Sequence, residues 1–171
     1  MIERKVMDME NFVIENSVLV KYTGTDENAI IPEDKVTAMK ETTILIAEDN
    51  VELAHYMRHL LLKEYNVILA SNGNEAMECI KVSAPDIVVS DVMMPFKNGY
   101  ELCSDIKTNP EFCHLPVILL TAKADMDSQL LGIEKGADAY LKKPFEPNLL
   151  FAVIKGIIEN RKKSQNILMP I

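Results

Sequence analysis

Five apolar runs of strand length recur between residues 43 and 141, and each is followed by a segment with apolar positions at three- and four-residue intervals. The runs are Thr43-Ile-Leu-Ile-Ala47, Asn66-Val-Ile-Leu-Ala70, Asp86-Ile-Val-Val-Ser-Asp91, Leu115-Pro-Val-Ile-Leu-Leu-Thr121 and Ala139-Tyr-Leu141. They are continuously apolar rather than alternating, as strands covered on both faces are. After the first, Leu53, Met57, Leu60 and Leu61 share one face of a helix that Asn50 caps. Asn72-Gly73 opens a second helix running to about Ser83, with Met77 and Ile80 on its apolar side. Tyr100 to Lys107 carries Leu102 and Ile106 at helical spacing, and Asn109-Pro110 ends it. Asp125 to Lys135 predicts a short helix stopped by Gly136, and Glu146 to Lys163 a last one with a stripe of Leu149, Leu150, Val153, Ile154, Ile157 and Ile158. Strict alternation with short connections predicts an α/β fold. It is a doubly wound, five-stranded parallel sheet with helices on both faces, most simply in the order 2-1-3-4-5.

Residues 1–40 differ in kind. Phe12 to Tyr22 is rich in β-branched and aromatic residues around Glu15-Asn16-Ser17 and predicts a hairpin; Ala29-Ile-Ile31, ended by Pro32, adds a third short strand. The strand, turn and Ile-Pro pattern is similar to one unit of a bacterial leucine-rich-repeat surface protein, but it occurs once, and a lone repeat cannot bury its own apolar face. Glu33 to Thr42 is a polar linker. The chain therefore divides into a β-rich extension (1–40), a regular domain (41–163) and a tail (164–171).

Composition narrows the function. The chain has 171 residues, 48% of them hydrophobic, enough for one full core plus an appendage. A formal charge of -8 leaves no basic field to neutralise phosphates, so direct nucleic-acid binding is disfavoured. Cys79, Cys103 and Cys113 are odd in number and lack CxxC spacing, which fits free thiols in a reducing cytoplasm. No apolar run approaches the ~18 residues of a membrane span. A cytoplasmic chain follows as the expectation.

The candidate chemistry sits at strand ends. The first strand runs into Glu48-Asp49-Asn50, the third ends on Asp91, the fourth on Thr121, and the fifth runs into Lys142-Lys143-Pro144. Neighbouring parallel strands would bring Glu48, Asp49 and Asp91 to one edge, where ligands bind in open α/β sheets, and acids so crowded need a cation. His55 and His59 are four apart on the first helix, but no third ligand lies nearby and no HExxH frame exists, so they are read as solvent-facing.

Glu48-Asp49, Asp91-Val-Met-Met-Pro95, Thr121-Ala122 and Lys143-Pro144-Phe145, each after its own strand and in this order, resemble the receiver domain of bacterial two-component response regulators. The wording Asp91-Val-Met-Met-Pro, Leu119-Leu-Thr-Ala-Lys123 and Gly136-Ala-Asp-Ala-Tyr-Leu-Lys-Lys-Pro-Phe145 is similar to receivers of hybrid sensor histidine kinases. The resemblance covers residues 43 to about 163. It implies the flavodoxin-like version of the fold, and a signalling phosphoacceptor that assists its own phosphorylation and dephosphorylation rather than an enzyme with a separate substrate. Asp91 is implied to take a phosphoryl group from a histidine kinase or histidine phosphotransfer domain. The implied Mg²⁺ ligands are Asp49, Asp91, Glu48 directly or through water, and the backbone carbonyl of Met93. Lys143 is implied to pair with Asp91 before transfer and with a phosphate oxygen afterwards. Thr121 and Tyr140 are implied to be the switch that alters the face of the fourth helix, fifth strand and fifth helix. Homodimerisation on phosphorylation, through the surface bearing Tyr140, stays open. Met93 and Lys123 flank the route of an attacking water. Asn98-Gly99 replaces the commoner Asp-Gly, with Gly99 keeping the backbone free.

Three other families share parts of this pattern. A haloacid-dehalogenase phosphatase needs a second acid where Met93 stands. A flavodoxin needs a hydroxyl-rich phosphate loop where Glu48-Asp49 would repel phosphate. A pseudo-receiver that serves as an interaction module is the stronger rival, and it predicts a lost site group where none is lost.

Overall fold

The computed structural model describes residues 12–15, 18–21, 40–122 and 126–167, in two compact units divided after Met39. In the first, β1 (Phe12–Glu15) and β2 (Val18–Lys21) form the predicted antiparallel hairpin, with Phe12 opposite Lys21. The third strand expected at Ala29–Ile31 lies outside the described residues.

The second unit runs β3 (Thr43–Ala47), α1 (Val51–Leu61), β4 (Asn66–Ala70), α2 (Gly73–Ser83), β5 (Ile87–Asp91), α3 (Gly99–Thr108), β6 (Val117–Thr121), α4 (Met126–Glu134), β7 (Ala139–Lys142) and α5 (Pro147–Ile167). Its five strands pair in the order β4-β3-β5-β6-β7, every pair parallel, which is 2-1-3-4-5 counted within the unit. The chain reverses its winding direction between β3 and β5. That places the topological switch point at their carboxyl ends.

The period of two along each strand sorts the core into two layers. Leu45, Val88, Val117 and Leu119 face Ala76 and Ile80 of α2 and Leu102 and Ile106 of α3. Ile44, Ile46, Ile87, Val89, Ile118 and Leu120 face Met57 and Leu61 of α1 and Leu150 and Ile154 of α5. β5 and β6 are buried at every position, as continuously apolar central strands should be.

Local chemistry fixes the helix starts. The side-chain oxygens of Asn50, Asn72 and Asn98 each accept from a backbone N–H one turn in, and Glu101 closes a capping box with Asn98. Gly136, at φ +85, ends α4 as predicted. Two expectations need correction. The buried stripe of α1 is Ala54, Met57 and Leu61, with Leu53 and Leu60 at its margin and His55 and His59 exposed. α5 continues past Lys163 to Ile167, so the tail begins helical. Its apolar stripe does end at Ile158, but no glycine or proline follows until Pro170, and an exposed helix needs only propensity to continue. Among the described residues, no helix is long and apolar enough to cross a membrane.

All three cysteines are free; Cys103 is buried and Cys113 exposed. Burial pushes the Cys103 thiol up to about 11, so at neutral pH it is almost wholly in the unreactive thiol form. Iodoacetamide should therefore alkylate Cys113 in the native protein and Cys103 only after denaturation, read by peptide mass spectrometry.

Candidate functional site

The parallel register carries four strand ends to one edge. Ala47 pairs with Ser90, so Glu48 and Asp91 come next on adjacent strands. Asp91 pairs with Leu120, which sets Thr121 one step further out, and Thr121 pairs with Lys142, immediately before Lys143. Glu48, Asp91 and Thr121 are 3%, 6% and 1% exposed, whereas Asp49 is exposed. Each of Glu48, Asp49 and Asp91 offers a carboxylate oxygen within 4.8 Å of the others.

Lys143 enters this cluster as its cation. Its Nζ donates to Glu48 Oε2 at 2.7 Å and approaches Asp91 Oδ1 at 3.0 Å. The backbone N–H of Asn50 donates to the other Glu48 oxygen at 3.0 Å, so both oxygens of this buried carboxylate are satisfied. The expected contact of Lys143 with Asp91 is present, and Glu48 is a second, nearer partner that the sequence did not single out. Burial pushes the Glu48 carboxyl up from its ordinary range, and the Lys143 and Asn50 hydrogen bonds only partly offset that. Burial alone would lower Lys143, but its contacts with Glu48 and Asp91 outweigh that and hold the ammonium charged.

Three carboxylates and one ammonium leave a formal charge of -2 at the rim. An all-oxygen donor set with that residual charge fits a hard divalent cation such as Mg²⁺, which takes one or two carboxylates and keeps several waters. Met93 turns its side chain to solvent, 63% exposed, so only its backbone is available to such an ion.

The floor of the site depends on Gly99 in a way the sequence reading did not capture. Its φ is not positive, so conformational freedom is not the reason for glycine. Its N–H donates to Val92 O at 2.9 Å, and an added Cβ would stand 2.2 Å from Asp91 O. Glycine is needed here for close approach.

Thr121 and Tyr140 share a face of the sheet. Thr121 pairs with Lys142 and Leu119 with Tyr140, so the threonine and the ring are diagonal neighbours on adjacent strands. Tyr140 is half-buried, with its ring against Gly132 and its hydroxyl 3.2 Å from that of Tyr100. Lys142 is exposed, and Lys123 lies outside the described residues. Sequence reasoning passed over Tyr100, because nothing in its helical position marks the hydroxyl as different from any other amphipathic tyrosine. A groove of about 970 Å³ between α2 and α3, lined in part by Met77, Phe96 and Pro110, lies apart from the acids.

Comparison with known proteins points the same way. The family model described as the response regulator receiver domain matches residues 44–155. Histidine kinase P4 of Formosa agariphila is 40% identical over 138 residues, 81% of this chain and 10% of its own length. Hybrid signal transduction histidine kinase D of Dictyostelium discoideum is 34% identical over 122 residues, 71% of this chain and 8% of its own. The chain thus spans a small fraction of either relative. Among solved structures, the signal receiver domain of a signal transduction histidine kinase from Syntrophus aciditrophicus matches with a TM-score of 0.66 at 34% identity, covering 70% of this chain and 91% of that one. A chemotaxis response regulator of Vibrio cholerae matches with a TM-score of 0.64 at 26% identity, covering 68% and 98%.

The electrostatics make a prediction. Replacing Lys143 by Met leaves two buried carboxylates uncompensated, which should cost about 3 kcal/mol at neutral pH, the low end for unpairing buried charge because the rim is partly open. A carboxyl whose folded pKa lies above its unfolded value destabilises when ionised, so the deficit should shrink as pH falls through the raised Glu48 pKa. Urea unfolding of both proteins across pH checks sign and size.

Proposed function

The chain belongs to the response regulator receiver family of two-component systems, and from that premise we propose that Asp91 is its phosphoacceptor. The donor is the phosphohistidine of a histidine kinase or histidine phosphotransfer protein. The observation that carries this reading is the Lys143 ammonium bridging Glu48 at 2.7 Å and Asp91 at 3.0 Å at the open rim of the sheet. A purely structural ion pair needs one acid; this lysine serves two, with a third beside them.

In the proposed transfer, an Asp91 carboxylate oxygen forms a bond to phosphorus while the phosphorus–nitrogen bond of the donor breaks. The electron pair leaves with the imidazole nitrogen. Mg²⁺, held by Asp49 and Asp91, by Glu48 directly or through water and by the Met93 carbonyl, would supply neutralisation of the charge on the transferring oxygens. Lys143 passes from Asp91 to one of those oxygens, a change its flexible stem allows without moving the backbone. Glu48 keeps the ammonium aimed at the rim throughout. The product is an acyl phosphate on the protein, and its hydrolysis returns Asp91 to the carboxylate.

Phosphoryl oxygens on Asp91 then give the Thr121 hydroxyl a charged acceptor. Movement of Thr121 toward Asp91 frees space on the face it shares with Tyr140, and the ring occupies it. The surface formed by α4, β7 and α5 carries the change to a downstream partner. The kinase-related relatives support a donor of that class.

Incubation with Mg²⁺ and acetyl phosphate should add one phosphoryl mass, stable in acid and labile in base, that Asp91→Asn abolishes. No mass gain at saturating Mg²⁺ would leave the chain a pseudo-receiver that binds without phosphorylation. Separately, Asp49→Ala should weaken Mg²⁺ binding by at least about tenfold, the effect of losing one carboxylate ligand; an unchanged titration removes Asp49 from the ion's shell.

A further inference from the structure

One of the residues that touch α4, Tyr100, is not part of the proposed switch. α4 buries a single residue, Gly132, and leaves Met126, Leu130 and Ile133 in solvent. With so little apolar surface inserted, a few polar contacts weigh more in fixing α4 than they do for α1 or α5.

Tyr100, in the first turn of α3, reaches across to the first turn of α4. Its hydroxyl donates to the Ser128 carbonyl at 3.1 Å and lies 3.2 Å from the Tyr140 hydroxyl of β7. A phenol has one proton and spare lone pairs. With the Tyr100 proton directed at Ser128, its oxygen accepts from Tyr140, and a chain from Tyr140 through Tyr100 to the Ser128 carbonyl joins β7, α3 and α4. The Tyr140 ring also lies against α4, where a Cβ on Gly132 would stand 2.8 Å from its Cδ2. Both hydroxyl contacts are long for O–H···O bonds, so this tie breaks at little cost when the ring moves.

We propose that Tyr100 is a positioning residue: its hydroxyl latches α4 to Tyr140 in the placement seen here, and so couples α4 to the state of Asp91. The latch itself stands on these contacts; its link to Asp91 rests on the phosphoacceptor reading above. In that reading phosphorylation frees space into which the ring moves, and that motion breaks the tie, so the latch favours the unphosphorylated arrangement. By linkage, losing it strengthens binding of a phosphoryl mimic at Asp91.

The test uses Tyr100→Phe in the full chain, which keeps the ring and removes only the hydroxyl. Hydrogen–deuterium exchange of peptides covering 126–134 should quicken about fivefold, and Mg²⁺-dependent beryllofluoride affinity should rise about fivefold, the change expected from one neutral hydrogen bond. Unchanged exchange across α4 overturns the latch. Faster exchange with wild-type beryllofluoride affinity overturns its link to Asp91. If the wild-type protein binds no beryllofluoride, the phosphoacceptor reading fails, and the exchange measurement still decides whether Tyr100 holds α4.

Discussion

Like charge crowded at one edge of the sheet is the constraint to which the rest of this structure answers. Glu48 and Asp91 are buried with oxygens no more than 4.8 Å apart, a repulsion of roughly 3 kcal/mol or more at an effective dielectric of about 20. The Lys143 ammonium, at 2.7 and 3.0 Å, offers attractions of roughly 5–6 kcal/mol each on the same scale, so it outweighs the repulsion. Removing three such groups from water costs several kcal/mol apiece, which takes back most of that gain. The cluster therefore does not hold itself together. What holds it is the sheet beneath, where Ile44, Leu45, Ile46, Ile87, Ile118, Leu119 and Leu120 are fully buried, each contributing about 1.5–3 kcal/mol.

Parallel pairing is what makes that transfer of stability possible. In a parallel sheet every strand reaches the same edge in the same sense, so residues one step past the last pairing meet without a loop having to carry them. Glu48 and Asp91 follow the pair Ala47–Ser90, and Lys143 follows the pair Thr121–Lys142. Glu48 and Asp91 are thus each one residue from a fully buried position. Gly99 completes the arrangement from below, since its missing Cβ lets the start of α3 pack against the carbonyl of Asp91. A site so built is preorganised by the core, with Asp49 and the Met93 side chain open to solvent.

The features legible in the sequence were those written in local pattern. Continuous apolar runs ending in Ala47, Asp91 and Thr121 gave strands and their ends, and two asparagines before apolar repeats, Asn50 and Asn72, gave helix starts. Pattern also set the edge where the acids meet, because in a parallel sheet strand ends imply proximity. It could not rank partners within that edge. The preference of Lys143 for Glu48 over Asp91 is a matter of tenths of an ångström, set by where the backbone after β7 delivers the side chain. Gly99 shows a second limit: a glycine needed for space and one needed for a positive φ look alike in a sequence, and only coordinates separate them. The end of α5 shows a third, because apolar periodicity reports burial while the helix beyond Ile158 runs on without an apolar stripe, held there by polar contacts such as Arg161 donating to the Asp86 carbonyl at 2.9 Å.

A site locked this firmly into its core raises the question of how any event there could be read elsewhere. A fully buried strand cannot shift far, since close packing turns small displacements into clashes. The response has to come from an element whose attachment is weak enough to change and specific enough to have two placements. Among the described helices, α4 meets both conditions. Gly132 gives it almost no apolar anchor, yet the Tyr140 ring, the Tyr100 hydroxyl and the Ser128 carbonyl define one seated position. In the proposed switch Thr121 moves by a fraction of a side chain, and Tyr140, its diagonal neighbour on the same face, is the first group free to follow. Rigidity at the acids and looseness at α4 are then two requirements of one device, because a firm core passes a small motion on undiminished and a marginal helix turns it into a change of surface.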